Sequence, residues 1–247
     1  MSGYSEYCDE YYVNMNLSTE MELPQGRESV LHYFEQVRRR YPKMVNFYSR
    51  EKDEFVLEEE KDQGTYRWVS TESKRINSGV VNPESFESAC EQHRQVLDLI
   101  PYELSVSPLD CESLSVMLGF DFAYKGNHNE ILCEAIGIAP ALEKFATMPF
   151  GKVLSNEPAI QFSLDEECRT QCRISFESRT NAYQIRTGEF SDEQLSVYLT
   201  VRRYDSLGPN EKYQVEFDRL SSLCRDLVDE YLVECVLQPL QKSISLR

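Results

Sequence analysis

The chain has 247 residues, 41% apolar and 11% aromatic, enough to bury the core of one large domain or two small ones. Forty-two acidic residues against 26 basic ones leave a net charge of −16, a field that repels nucleic-acid phosphates and anionic lipid surfaces. No apolar run reaches the roughly 18 residues of a membrane-spanning helix, and Met1 to Asp9 has neither the basic start nor the apolar stretch of a secretory signal.

The expected compartment is therefore the cytoplasm, with no nucleic-acid and no membrane partner. The eight cysteines then read as reduced thiols. No CxxC pair occurs. Cys168 and Cys172, roughly 13 Å apart on an extended chain, exceed the about 7 Å reach of a disulfide. Cys90, Cys133, Cys224 and Cys235 fall in helical patterns and read as small buried hydrophobes.

Residues 1–10 have no period and read as a loose acidic leader. Val13, Met15 and Leu17 alternate with Asn14, Asn16 and Ser18, the pattern of a half-buried strand. After the turn Leu23-Pro24-Gln25-Gly26, Val30, Phe34, Val37 and Tyr41 line a helix from about Arg27 to Tyr41, with Arg38 to Arg40 in its last turn and Pro42 as its stop. Three strands follow, near Met44–Arg50, Phe55–Glu60 and Thr65–Thr71. The polar turns Glu51-Lys52-Asp53-Glu54 and Lys61-Asp62-Gln63-Gly64 divide them into antiparallel hairpins. Asn82-Pro83 opens a second helix carrying Phe86, Cys90, His93, Val96, Leu97 and Ile100 on one face, and Pro101 closes it.

The order then recurs. Leu114, Val116, Leu118, Phe120 and Phe122 alternate as a strand. Asn127 to Thr147 is helical, broken near Gly137 and Pro140, and Met148-Pro149-Phe150-Gly151-Lys152 follows it as a turn. Further strands are expected at about Ala159–Leu164, Thr170–Ser178, Tyr183–Thr187 and Gln194–Tyr204. The last helix spans Glu211 to Leu237, about 40 Å long. Its stripe includes Tyr213, Phe217, Leu220, Cys224, Val228 and Tyr231. Pro209 and Asn210 mark its start, and Pro239 marks or kinks its end.

Lys74-Arg75-Ile76-Asn77-Ser78 is similar to Arg202-Arg203-Tyr204-Asp205-Ser206. Laid on one another, the two helices match Phe86 with Tyr213, Cys90 with Phe217 and Leu97 with Cys224. These coincidences predict an α+β chain made by tandem duplication of a β-α-β-β-β(β)-α unit, residues 11–110 and 111–247, with antiparallel sheets and helices packed on one face. The repeated order resembles the duplicated TATA-box-binding-protein fold, and also the helix-grip folds, where a sheet wraps a long C-terminal helix. The resemblance implies a fold and no functional residue.

Chemical motifs are scarce. GxGxxG, the phosphate-cradling Gly-Lys-Ser/Thr, HExxH, GxSxG and an EF-hand loop are all absent. No cofactor and no metal site is expected, since Cys and His lack a ligand spacing. His32 is out of phase with its helix core and should be exposed. His128, at a helix start, should cap or meet solvent. His93 is in phase with the core and reads as a hydrogen-bonded core histidine, the alternative being a general base in a pocket. The acidic runs Glu58-Glu59-Glu60 and Asp165-Glu166-Glu167 read as solvated strand ends, or else as a divalent-cation site.

Two features could meet a partner. Tyr66 and Trp68 share one strand face, with Arg67 and Val69 on the other. Arg75 and Arg203, with neighbours Lys74 and Arg202, form paired basic clusters suited to an anionic group, or to local salt bridges. The function this predicts is a non-enzymatic protein-interaction or scaffold protein that binds a protein partner or itself. The alternatives are a small-ligand binder with an apolar cavity between sheet and C-terminal helix, and an enzyme with a site around His93.

Overall fold

In β1 (Glu10–Thr19), Tyr11, Val13, Met15 and Leu17 are buried, while Tyr12, Asn14 and Asn16 stand half-buried on the opposite face. The computed structural model describes residues 3–50, 54–61, 64–149, 151–208 and 210–247. Met1, Ser2, the expected turn residues Glu51, Lys52, Asp53, Asp62, Gln63 and Phe150, and the expected helix-start residue Pro209 lie outside them.

The chain then runs α1 (Arg27–Arg40), β2 (Asn46–Ser49), β3 (Phe55–Glu58), β4 (Tyr66–Thr71), β5 (Arg75–Val81) and α2 (Phe86–Glu103). It continues with β6 (Cys111–Ala123), α3 (His128–Ile136), α4 (Glu143–Ala146), β7 (Ala159–Ser163), β8 (Thr170–Glu177), α5 (Ala182–Thr187), β9 (Gln194–Tyr204) and α6 (Tyr213–Leu227). Among the described residues nine strands form one antiparallel sheet in the order β2-β3-β4-β5-β1-β6-β9-β8-β7. The seam is β1 against β6, where Val13 faces Leu118, Met15 faces Val116 and Leu17 faces Leu114.

One face of the sheet is covered. α2 lies over β5 and β1, and α6 lies over β6 and β9. The two helices run side by side, tied by Arg94–Asp218 at 2.5 Å and Arg225–Glu87 at 2.8 Å. Beneath α6, Phe217, Leu220, Cys224 and Val228 have no exposed surface, nor do Leu114, Val116, Leu118 and Phe120 on the sheet. α1 packs against α2, and its Phe34 meets Phe47 of β2 at 5.7 Å between ring centroids.

Several expectations change. β5 is an additional strand, so the first half carries four strands after α1. Tyr183–Thr187, expected as strand, lies in α5, because Asn181 caps it and exchanges bonds with Gln184 in a capping box. The cap of α2 is Ser85 rather than Asn82, and Pro101 sits within its last turn. α6 starts two residues later than expected, after Lys212 rather than Asn210. The break at Gly137 is as expected: it ends α3 with φ of 78°, a conformation open to glycine. Near the start of the described residues Tyr4 packs on the sheet and the last helix. The Tyr4 ring meets Tyr11 and Phe120 edge-on at 5.7 and 5.6 Å, and its hydroxyl donates to Asp229 at 2.7 Å.

The last helix does not stop at Pro239. A π-helical stretch, Val228–Leu237, joins α6 to α7 (Gln238–Ser245), and Pro239 occupies the first turn of α7. A proline has no N–H to give and clashes with the carbonyl four residues back, and a wider turn relieves both. The buried stripe shifts phase accordingly, running Cys224, Val228, Leu232, Leu237 and Leu240, with a five-residue step in the π segment. Tyr231 and Cys235, expected to be buried, are exposed for the same reason. Phe217→Ala should cost about 3–5 kcal/mol in urea unfolding, whereas Tyr231→Ala should stay within about 0.5 kcal/mol.

Candidate functional site

The sheet face opposite α2 and α6 carries the alternate residues of every strand. Over the seam it holds a hollow of about 310 Å³, walled by Trp68, Arg75, Thr200 and Arg202 and floored by Asn14, Asn16, Asn77, Ser115 and Met117. A smaller hollow of about 90 Å³, lined by Gln161, Gln171 and Arg173, adjoins it and shares Thr200 and Arg202.

Two aromatic rings lie flat on this face because glycine permits it. Trp68 of β4 pairs with Gly79 of β5, and Tyr12 of β1 pairs with Gly119 of β6. A methyl group at Gly79 would fall on the Trp68 indole and the Asn14 amide, and one at Gly119 would fall on the Tyr12 ring. Tyr198, on the far side of Gly119, brings its ring to 6.5 Å from Tyr12.

The floor is a partly satisfied amide network. Asn16 Nδ2 donates to Asn77 Oδ1. Asn77 Nδ2 donates to Ser70 Oγ at 3.1 Å and Glu72 Oε1 at 2.9 Å. Asn14 Oδ1 and Arg202 Nε are buried and have no partner among the described residues. Arg202 lays its guanidinium over the Tyr204 ring at 5.8 Å. Arg75 stands 3.9 Å from Glu72, too long and too exposed to be a strong pair.

Tyr66 and Trp68 share the open face, and Arg67 turns the other way to donate to Gln92 at 3.0 Å. Arg75 borders the hollow. Arg203 does not join it. It points to the helix side and pairs with Glu216 at 3.5 Å and Glu211 at 3.8 Å. Its neighbour Arg202 takes the place opposite Arg75, since adjacent strand residues face opposite ways. Asn14, Asn16, Asn77, Ser115, Met117 and Thr200 line the hollow without having stood out in the sequence as site residues. The available signal was asparagine at successive outward positions of a strand, where it is depleted.

His93 stands on the covered side. It is fully buried, its Nδ1 is 3.0 Å from Ser78 Oγ, and its Nε2 is 3.2 Å from the Val13 carbonyl. A carbonyl only accepts, so Nε2 carries the proton and Nδ1 accepts from the serine hydroxyl. The ring thus bolts α2 to β5 and β1, and its edge meets Phe217 at 5.6 Å. His32 is exposed and lies 2.9 Å from Glu103. His128, expected to cap or meet solvent, is buried. Its Nε2 donates to the Tyr124 carbonyl at 2.9 Å, and Asn127 caps α3 instead.

At the other end of the open face Asp121 of β6 lies opposite Glu10 of β1, and burial raises both carboxyls above their ordinary range, Glu10 further because of Asp121. Among the described residues no three His, Cys, Asp or Glu side chains come together to hold a metal ion. Among them, too, no helix is long and apolar enough to cross a membrane. Comparison with family models, with curated proteins and with solved structures gives no match for this chain.

Two measurements follow from this geometry. Gly79→Ala should push Trp68, the only tryptophan, off the sheet, shifting its emission to longer wavelength and costing about 1–3 kcal/mol. Burial lowers the His93 pKa to about 3 from 6.5, so the folded protein holds it neutral. Below pH 6.5 the unfolded chain takes up a proton that the fold refuses, so the contribution is whole above pH 6.5 and declines towards pH 3. The stability gap between the wild type and His93→Gln, measured by chemical denaturation, should be constant above that window and narrow within it.

Proposed function

We propose that this chain is a non-enzymatic protein-interaction protein whose open sheet face receives an extended polar segment of a partner. The observation that carries the reading is a pair of buried groups in the hollow with no partner among the described residues, Asn14 Oδ1 and Arg202 Nε. Such atoms cost about 1–3 kcal/mol each when left unpaired. One accepts and one donates, as the two sides of a peptide group require. The adjoining hollow at Gln161, Gln171 and Arg173 gives a longer ligand room to continue. Trp68 supplies a flat apolar anchor beside these polar groups, a combination common at interaction sites. With a net charge of −16, nucleic acid is a poor candidate. Unpaired thiols suit a reducing cytoplasm.

The other two readings have less support. The space beneath α6 is filled by Phe217, Leu220, Cys224 and Val228, which leaves little room for an apolar ligand there. His93 has both nitrogens engaged and no exposure. We also infer a duplicated architecture, akin in topology to the TATA-box-binding-protein fold. Counted outward from the seam, the order is β1-β5-β4-β3-β2 on one side and β6-β9-β8-β7 on the other, which supports one plan used twice.

A photo-crosslinking residue placed at Thr200 should give a discrete adduct with a protein of the source cell, while the same residue at exposed Val215 on α6 should not. Asn14→Leu should abolish the adduct and leave unfolding stability equal or higher. Equal adducts from both positions, or an adduct that survives Asn14→Leu and Trp68→Ala together, would count against the open face.

A further inference from the structure

β7 is the last strand on its side of the sheet, paired with β8 and, among the described residues, with no strand beyond. All five of its residues are exposed, Ile160 at 54% and Phe162 at 48%. The opposite margin differs. There Phe47 of β2 stacks on Phe55 and meets Phe34 of α1, so its aromatic surface is partly covered. Proteins ordinarily blunt a free edge with a lysine, a proline, a bulge or an inward charge. Within Ala159-Ile160-Gln161-Phe162-Ser163 there is none of these, and Pro158 stands just before Ala159, outside the stretch that pairs. The strand is uncharged in a chain of net charge −16, so it can approach a copy of itself without repulsion along its length.

We propose that two copies of this chain join edge to edge through β7, antiparallel, into one continuous sheet. Parity restricts the register. Directly opposed residues of an antiparallel pair point to the same face. A twofold axis normal to the sheet must therefore pass through a residue, not between two. Gln161 is the centre that pairs the whole strand. It sets Ile160 against Phe162 of the second copy, twice, on the helix side, where Ile174 and Cys172 of β8 flank them. Ala159 meets Ser163 and Gln161 meets itself on the open side. An isologous contact of this kind closes at two copies, and the backbone groups of the edge supply the bonds, as in strand addition.

Just outside the paired stretch, Glu157 would face Asp165 of the second copy. Each carboxylate is held by its own chain, Glu157 by the Ser178 amide at 2.6 Å and Asp165 by the Arg169 and Thr170 amides at 2.9 and 2.6 Å. Their mutual repulsion makes the association strengthen with salt. None of this depends on what occupies the hollow.

Sedimentation velocity of the full chain over a concentration series tests the proposal. The wild type should pass from monomer to dimer with concentration, more readily at higher salt. Phe162→Lys, and independently Ile160→Lys, should sediment as monomers with unchanged circular dichroism. Gln161→Cys should form a disulfide between two copies through residue 161 under mild oxidation, mapped by peptide mass, whereas Ser163→Cys should not link to itself. A wild type that stays monomeric throughout, or a dimer that both lysine variants leave intact, overturns it.

Discussion

The molecule hangs on the pairing of β1 with β6. Val13, Met15 and Leu17 on one strand and Leu118, Val116 and Leu114 on the other are opposed in register and have no exposed surface. These neighbours come from segments far apart in the chain, so their meeting closes a long loop and must be repaid by burial. Once it forms, two groups of strands become one sheet. α2 and α6 then lie over adjoining strands and shield the same apolar layer. The seam also commits the other face. Every residue that alternates with this layer, from Asn14 to Arg202, is gathered on one open surface with the hollow at its middle.

That open surface carries features that lower the stability of the sheet. A merely solvated face would be served by charges and threonines. This one buries an amide oxygen and a guanidinium nitrogen without partners among the described residues, and lays Trp68 and Tyr12 over glycines that add nothing to strand propensity. Unsatisfied polar groups and glycine in strand interiors both weaken a sheet. Arg202 rests its guanidinium on Tyr204 and, among the described residues, pairs with no carboxylate, in a chain of net charge −16.

The alternating strands were legible in the sequence because a two-residue period with one apolar face has a single structural solution. β9 was expected at Gln194–Tyr204 and lies there, and Leu195, Val197, Leu199 and Val201 face the core together. Where the period is short or confused, local chemistry decided instead. Tyr183–Thr187 alternates like a strand, but the bonds of Asn181 to the next turn start a helix. β5 is hard to see in the sequence because Ser78 and Gly79 interrupt its apolar pattern. Ser78 faces inward to meet His93 and Gln92, and Gly79 makes room for Trp68. Of the candidate site, Trp68 and Arg75 were visible as residue types. Arg203 faces the helix side while its neighbour Arg202 faces the hollow, since one position along a strand carries a side chain through the sheet. The asparagine floor depends on cross-strand neighbours that no single segment reveals.

The helical column from Tyr213 to Ser245 follows every strand in chain order. During synthesis the sheet can therefore assemble before α6 exists to cover β6 and β9. The ribosome adds about 5–20 residues per second. Until α6 is made, Val116, Leu118, Val197 and Leu199, which have almost no exposed surface in the finished fold, lack their cover, so the apolar layer of the sheet is completed only by the last part of the chain to be made.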